Sequence, residues 1–316
     1  MADIYMHSRM AEDVIKNIEY AFNKKIVSNA AQGPDPLYYN FFSKDHPEYR
    51  KYADAMHRKD TDLLLKIMTN YVKENLTADS YSFLVGFICH YALDVKIHPY
   101  VYNHVGVYKK DDKRTHEWRG LHLKFERSID AVLIEEDTGI KPRKMNLNTK
   151  YFPLRSPSPE IMKIWDHVLK EVYDKDNGGV MYSISTVEMR KNIKRFIKDK
   201  RGIKKLIFKF IDLINKKHDM FFQDMSMFNH IEKYDFLNKE KHTWYHPVTN
   251  EEYNYSVMEL YDQAVTFATE MIDSVGQYVL EDEDIDLSKV FTNLSYNTGL
   301  NCDHPGVMQY FNIYRK

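Results

Sequence analysis

Cysteine is scarce in this chain of 316 residues: Cys89 and Cys302 are too few to staple a secreted scaffold. Cys89 closes the apolar run from Phe83 to Ile88, where a free thiol behaves as a small hydrophobe. The first ten residues offer no basic start, apolar stretch and small-residue cleavage site of a secretory signal, so a reducing, cytoplasmic location is the expectation. No uninterrupted apolar run approaches the roughly 20 residues that cross a bilayer, which excludes a transmembrane helix. Nor does charge of one sign prevail. With 45 basic and 46 acidic residues the formal net charge is -1, which leaves no whole-chain footprint for nucleic acid and argues against nucleic acid as a partner. Internal repeats and β alternation are also missing.

What is present is helical periodicity. Residues 7 to 22 place His7, Ala11, Val14, Ile18 and Phe22 three to four apart, the stripe of an amphipathic helix. The Gly33-Pro34-Asp35-Pro36 stretch cannot continue a helix and holds Asp35 in a stiff loop. Residues 54 to 73 repeat with helical period through His57, Thr61, Leu64, Met68 and Tyr71. Asp79 or Ser80 caps a helix running from Tyr81 to His98, which Pro99 stops or kinks. Another helix is expected from about Thr115 to Glu136. Residues 160 to 173 read as a helix, Gly178-Gly179 as a turn, 185 to 218 as one long basic helix or two joined near Gly202, and 255 to 280 as a helix again. The region 219 to 253 looks irregular and the acidic run 281 to 286 reads as a solvated loop. The expected fold is all-α and compact, with a helical core over residues 1-140, a polar Pro-containing linker over 141-159, and a helical part over 160-316 packed on that core.

Two side-chain pairs stand out on these helices. Residues four apart share a helix face with Cβ atoms about 5 to 6 Å apart, so His90 and Asp94 can reach one metal ion, and His122 and Glu126 another. His98 lies one turn beyond Asp94, and Asp130 one turn beyond Glu126. Asp94 sits between Leu93 and Val95, and Glu126 follows Phe125. Burying carboxylates among such neighbours is costly unless they are paired or bound to metal. Mixed imidazole and carboxylate sets suit zinc or a similar divalent ion. The competing reading is a buried hydrogen-bond or salt-bridge network. Gly86, one turn before His90, leaves a bare surface for another helix, a loop or substrate, or marks an ordinary close-packing position.

In order along the chain, Gln32-Gly33-Pro34-Asp35-Pro36, His57, His90-x3-Asp94-x3-His98 and His122-x3-Glu126 resemble the zinc-dependent phospholipase C family, with the trinuclear-zinc P1-type nucleases as more distant relatives. The resemblance covers roughly residues 7 to 130. It implies two or three Zn2+ ions: one held by Asp35, His57, His90 and Asp94, a second by His7 with Asp94 as bridge, and a third by His98, His122 and Glu126. In the secreted relatives a mature N-terminal tryptophan completes the second site; this chain carries none. The implied activity is hydrolysis of a phospholipid or small phosphodiester by zinc-bound hydroxide, with Asp35 as both ligand and catalytic group; the leaving alkoxide would take its proton from water or a nearby acid, for which Asp130 is a candidate by its place on the helix. The alternatives are a nuclease or phosphomonoesterase on the same cluster, or a non-catalytic, metal-stabilised lipid-binding module.

Between Arg190 and Lys217 the chain carries 12 Lys or Arg against two Asp, interleaved with Ile193, Phe196, Ile197, Leu206, Ile207, Phe210, Ile211 and Ile214. Such a helix either packs its apolar side onto the protein with its charges in solvent, which is the expectation, or makes peripheral contact with an anionic membrane through 190-217.

Overall fold

The computed structural model describes residues 3–214, 221–227 and 234–314. Among these it is all-α apart from one two-stranded ribbon. The helices are α1 (Ile4–Ile15), α2 (Lys24–Ala30), α3 (His46–Met56), α4 (Thr61–Glu74), α5 (Ala78–Val105), α6 (Leu121–Thr138), α7 (Leu147–Lys150), α8 (Pro159–Tyr173), α9 (Gly178–Asn192), α10 (Ile203–Ile214), α11 (Val257–Leu280) and α12 (Leu287–Val290). The ribbon pairs Trp244–Tyr245 with Glu252–Tyr253 in antiparallel register.

Helix α5 is the axis around which the others assemble. Its start is fixed by a capping box in which Thr77 and Ser80 satisfy each other's backbone amides. It is buried almost throughout its 28 residues, as expected of a helix that is apolar on every side. Helices α1, α2, α6 and α11 pack around it, with α4 and α8 completing the shell. One hydrophobic core therefore runs from Ile4 to Tyr314, and the stretch 141–159 contributes the buried Leu147, Tyr151 and Phe152 to it.

Several sequence expectations change. Proline does not end α5: the helix runs through Pro99 to Val105, because Tyr100, Val101 and Val105 are buried and their packing outweighs one missing backbone bond. The single period over 54 to 73 divides into α3 and α4, with Asp60 in a left-handed conformation at φ 52°. That break leaves His57 at the C-terminus of α3, facing inward. The helix expected from Thr115 opens instead as a 3-10 turn over Lys113–Trp118, and α6 begins after Gly120. Gly178 and Gly179 start α9, the turn being made before them by Asp174 to Asn177. Of the two readings of the basic stretch, two helices joined near Gly202 is the one the structure shows: α9 runs on through a π turn over Ile193–Ile197, residues 198–202 break it with Gly202 at φ 75°, and α10 follows, while residues 215–218 lie outside the described residues. Finally, among the described residues α10 does not pack its apolar side onto the protein: Leu206, Ile207, Phe210, Leu213 and Ile214 are all exposed.

Gly86 lies where α2 crosses α5. A Cβ there would stand 2.5 Å from the Val27 carbonyl oxygen and 2.7 Å from the Ala30 Cβ. The bare surface thus admits α2, and through it the following loop that carries Asp35. Gly86→Val is expected to separate the two helices at a cost of roughly 1–3 kcal/mol, typical of overpacking. Denaturant unfolding checks this, and an unchanged midpoint would contradict it.

Candidate metal centre

Eight polar side chains converge beside the middle of α5. His90, Asp94 and His98 descend one face of that helix in successive turns, and all three are fully buried. Helix α1 brings His7, the 3-10 turn over Asp35–Tyr39 brings Asp35, the end of α3 brings His57, and α6 brings His122 and Glu126. The eight residues singled out in the sequence therefore form three adjoining groups: His7 with His90 and Asp94, Asp35 with His57 and His90, and His98 with His122 and Glu126. In each group the candidate ligand atoms lie within 4.8 Å of one another.

The Asp94 carboxylate stands at the centre. Its Oδ1 lies 3.4 Å from His7 Nε2 and 3.5 Å from His98 Nε2, while its Oδ2 lies 3.3 Å from His90 Nε2 and 3.7 Å from His57 Nε2. Asp35 Oδ1 is 3.5 Å from His57 Nε2 and 3.9 Å from His90 Nε2. On the other side Glu126 Oε1 is 3.5 Å from His98 Nε2 and 2.9 Å from His122 Nε2. Apart from the last, these separations exceed the usual hydrogen-bond range of roughly 2.7 to 3.2 Å. They match instead the roughly 3.4 Å between two atoms each about 2.1 Å from one tetrahedral ion.

Backbone carbonyls orient the rings. Nδ1 of His57 faces the Ala53 oxygen at 2.7 Å, Nδ1 of His90 faces that of Ala31 at 3.1 Å, and Nδ1 of His98 faces that of Tyr296 at 2.8 Å. A carbonyl only accepts, so each Nδ1 carries the proton and each Nε2 turns toward the carboxylates. None of these three Nε2 atoms, and neither ring nitrogen of His7, makes a hydrogen bond. Burial pushes the pKa of His7 far down and that of His98 to about 3, which favours the neutral ring, the form that ligates metal, over the charged one. Burial opposes charge on His90 as well, but the Asp94 and Asp35 carboxylates outweigh it and raise its pKa. Burial likewise works against an ionised Asp94, yet the imidazoles of His98, His90 and His7 hold its pKa well below the ordinary carboxylate value. A neutral ring nitrogen facing a carboxylate oxygen sets lone pair against lone pair, and a cation between them relieves both. The donor set therefore fits divalent zinc, and three such groups are consistent with two or three Zn2+ ions.

Glycine is required once more. Gly33 has φ +50°, and a Cβ on it would fall 2.2 to 2.7 Å from the His90 ring, so the turn that carries Asp35 closes directly over the imidazole. Above the cluster opens a cleft of about 320 Å³ lined by His57, His122, Glu126, Tyr102, Arg58 and Arg127 among others. Tyr38 and Tyr39 also line it, whereas Tyr91 and Tyr100 are core residues. Asp130 does not serve as a proton donor there: its two oxygens accept the Tyr5 and Met6 amides at 2.7 and 3.0 Å, anchoring the start of α1 just before His7. His104 bonds the Tyr100 carbonyl and stacks on Phe125, away from the cluster. Sequence reasoning missed Tyr296, fully buried, whose ring packs 5.0 Å from His57 and whose carbonyl fixes His98. Nothing in its local sequence distinguishes it from the chain's other tyrosines.

A helical scaffold enclosing a buried His/Asp/Glu cluster under an open cleft defines a metal-dependent hydrolase. The family profile described as zinc dependent phospholipase C matches residues 6–221, well over half of the chain, and the protein belongs to that family. It is accordingly a zinc-dependent phosphoester hydrolase. Comparison with curated proteins and with solved structures gives no significant match.

His90 belongs to two of the three groups and His98 to one. His90→Ala is therefore expected to lower the bound zinc of untreated protein by more than one ion, and His98→Ala by one at most. Elemental analysis of the purified variants decides it; equal zinc content in both variants and the parent protein would refute the shared role of His90.

Proposed function

We propose that the substrate is a phospholipid, cleaved on the glycerol side of the phosphate to give a diacylglycerol and a phosphorylated head group. Membership of the phospholipase C family supports this reading, and the single observation that carries it is the cleft, whose floor includes three candidate ligands, His57, His122 and Glu126. Zinc, when bound, supplies a Lewis acid that makes water acidic near neutral pH and offsets the charge of phosphate oxygens. His7, Asp35, His57, His90, Asp94, His98, His122 and Glu126 are the residues proposed to hold it.

The chain's own groups complete the site. Asp35, buried with its Oδ1 3.5 Å from Nε2 of the cleft-lining His57, is proposed to orient the attacking water and accept its proton as the phosphorus is approached. Arg127 is buried, with its Nε 2.8 Å from Asp3 Oδ2, and together with Arg58 lines the cleft where an anionic phosphodiester would lie. Tyr38 donates to Asp54 Oδ1 at 2.9 Å, which fixes one wall, and Tyr102 packs 4.9 Å from the His122 ring on another. Phe41, Leu123 and Met225 give the cleft an apolar side suited to the glycerol end of a lipid. Both cysteines are free thiols, which supports the proposal of a reducing, cytoplasmic setting.

Phosphatidylcholine in mixed micelles, a soluble phosphodiester, a phosphomonoester and single-stranded DNA, assayed side by side, separate the possibilities. Lipid turnover is expected to exceed the others, to vanish on chelation and to return with zinc. Preference for the monoester or the DNA would replace the phospholipid assignment. Asp35→Asn is expected to lower kcat by about 10² or more, as loss of a general base does; an unchanged kcat would remove Asp35 from the mechanism.

A further inference from the structure

Helix α10 is built inside out. At 3.6 residues per turn, its exposed Ile203, Leu206, Ile207, Phe210, Leu213 and Ile214 fill one continuous arc, with Lys204 at one edge and Lys209 at the other. Phe210, Leu213 and Ile214 are 62%, 68% and 88% exposed. Water-soluble surfaces seldom carry so contiguous an apolar patch without a partner.

The protein-facing side of α10 explains how such a helix is held. Its Asp212 is buried and accepts the backbone amides of Phe222 and Gln223 at 2.8 and 2.9 Å. Asp199, also buried, accepts the Lys205 amide in the first turn at 2.8 Å and the Ser226 hydroxyl at 2.9 Å. Only Phe208 points inward among the large apolar side chains, joining Phe196 and Met225 in a small cluster of its own. The helix is thus fastened by charge-assisted hydrogen bonds on its polar side, and its apolar arc is left outward by construction. Adjoining it, Phe42 is 64% exposed and stacks on Phe196, with the Arg195 guanidinium over its ring.

We infer that this face docks on an anionic lipid surface, with the apolar arc entering the acyl boundary. Charge complementarity selects that occupant. From Lys194 to Ile214 the chain has eight Lys or Arg, while its two aspartates, Asp199 and Asp212, are both turned inward. Lysines at both edges of an apolar arc, within a basic segment, match the anionic head groups above an acyl layer. A second copy of this chain would set the same basic segment against itself. The cluster beneath α10 is also continuous with the cleft: Met225 belongs to both, and Phe41 and Leu123 pack on the first while lining the second. Docking through α10 would bring the cleft to the lipid, an inference that rests on the phospholipid reading for its purpose but not for its evidence.

The test is flotation of the full-length, zinc-loaded protein with vesicles of phosphatidylglycerol and phosphatidylcholine, comparing wild type with the double variant Phe210→Ser, Leu213→Ser. Both residues are exposed, so fold and turnover of a soluble phosphodiester should be unchanged, while vesicle partitioning falls by about tenfold or more. Equal partitioning of the two proteins, or no binding by wild type, overturns the proposal. So does a wild-type dimer that the double variant converts to a monomer, since the arc would then be a contact between copies. Vesicle binding that depends on the arc in protein inactive on every phosphodiester supports docking while removing the substrate assignment.

Discussion

The structure depends on one electrostatic arrangement: the carboxylate of Asp94, buried in the middle of the most deeply buried helix, surrounded by imidazoles that turn their unbonded nitrogens toward it. A lone carboxylate in such a place would cost several kcal/mol. Here each oxygen faces two rings, and three of the four, those of His90, His57 and His98, are locked by carbonyls from α2's end, from α3 and from the loop at Tyr296. The protein has therefore spent backbone acceptors from three separate segments to aim nitrogen lone pairs at carboxylate oxygens. That arrangement makes sense only with positive charge among them, and it dictates the close helix crossing at Gly86, the closed turn at Gly33 and the break between α3 and α4.

The cluster was legible in the sequence because its most informative part is local. His90-x3-Asp94-x3-His98 and His122-x3-Glu126 each lie on one helix face, where a spacing of four translates directly into proximity. The membership of His7, Asp35 and His57 came from family order rather than from periodicity, since no spacing rule links residue 7 to residue 94. What could not be read was context. Helix ends were misplaced at Pro99, at His57 and at Gly178, because packing against neighbours overrode the local preference for a stop, a continuation or a turn. Asp130 repeats the helical spacing of Glu126 yet serves α1, since spacing specifies a face and not the partner that meets it.

The reversed orientation of α10 is the plainest case. An amphipathic pattern states that one side of a helix is apolar; it does not state which side faces the protein. Two buried aspartates settle the matter in the fold: Asp212 accepts the amides of Phe222 and Gln223, and Asp199 accepts the Lys205 amide and the Ser226 hydroxyl, contacts that the period of the helix does not encode. The family-matched region ends at residue 221, yet Tyr296 from the C-terminal part packs on His57 and bonds His98. The C-terminal part is thus a structural component of the metal centre, holding two of its rings in place.

The most direct test of this account is anomalous diffraction at the zinc edge from crystals of protein never exposed to chelator. The account predicts two or three peaks lying among His7, Asp35, His57, His90, Asp94, His98, His122 and Glu126, one of them against Asp94. A featureless map at that cluster, with the imidazoles and carboxylates bonded only to each other or to water, would contradict it.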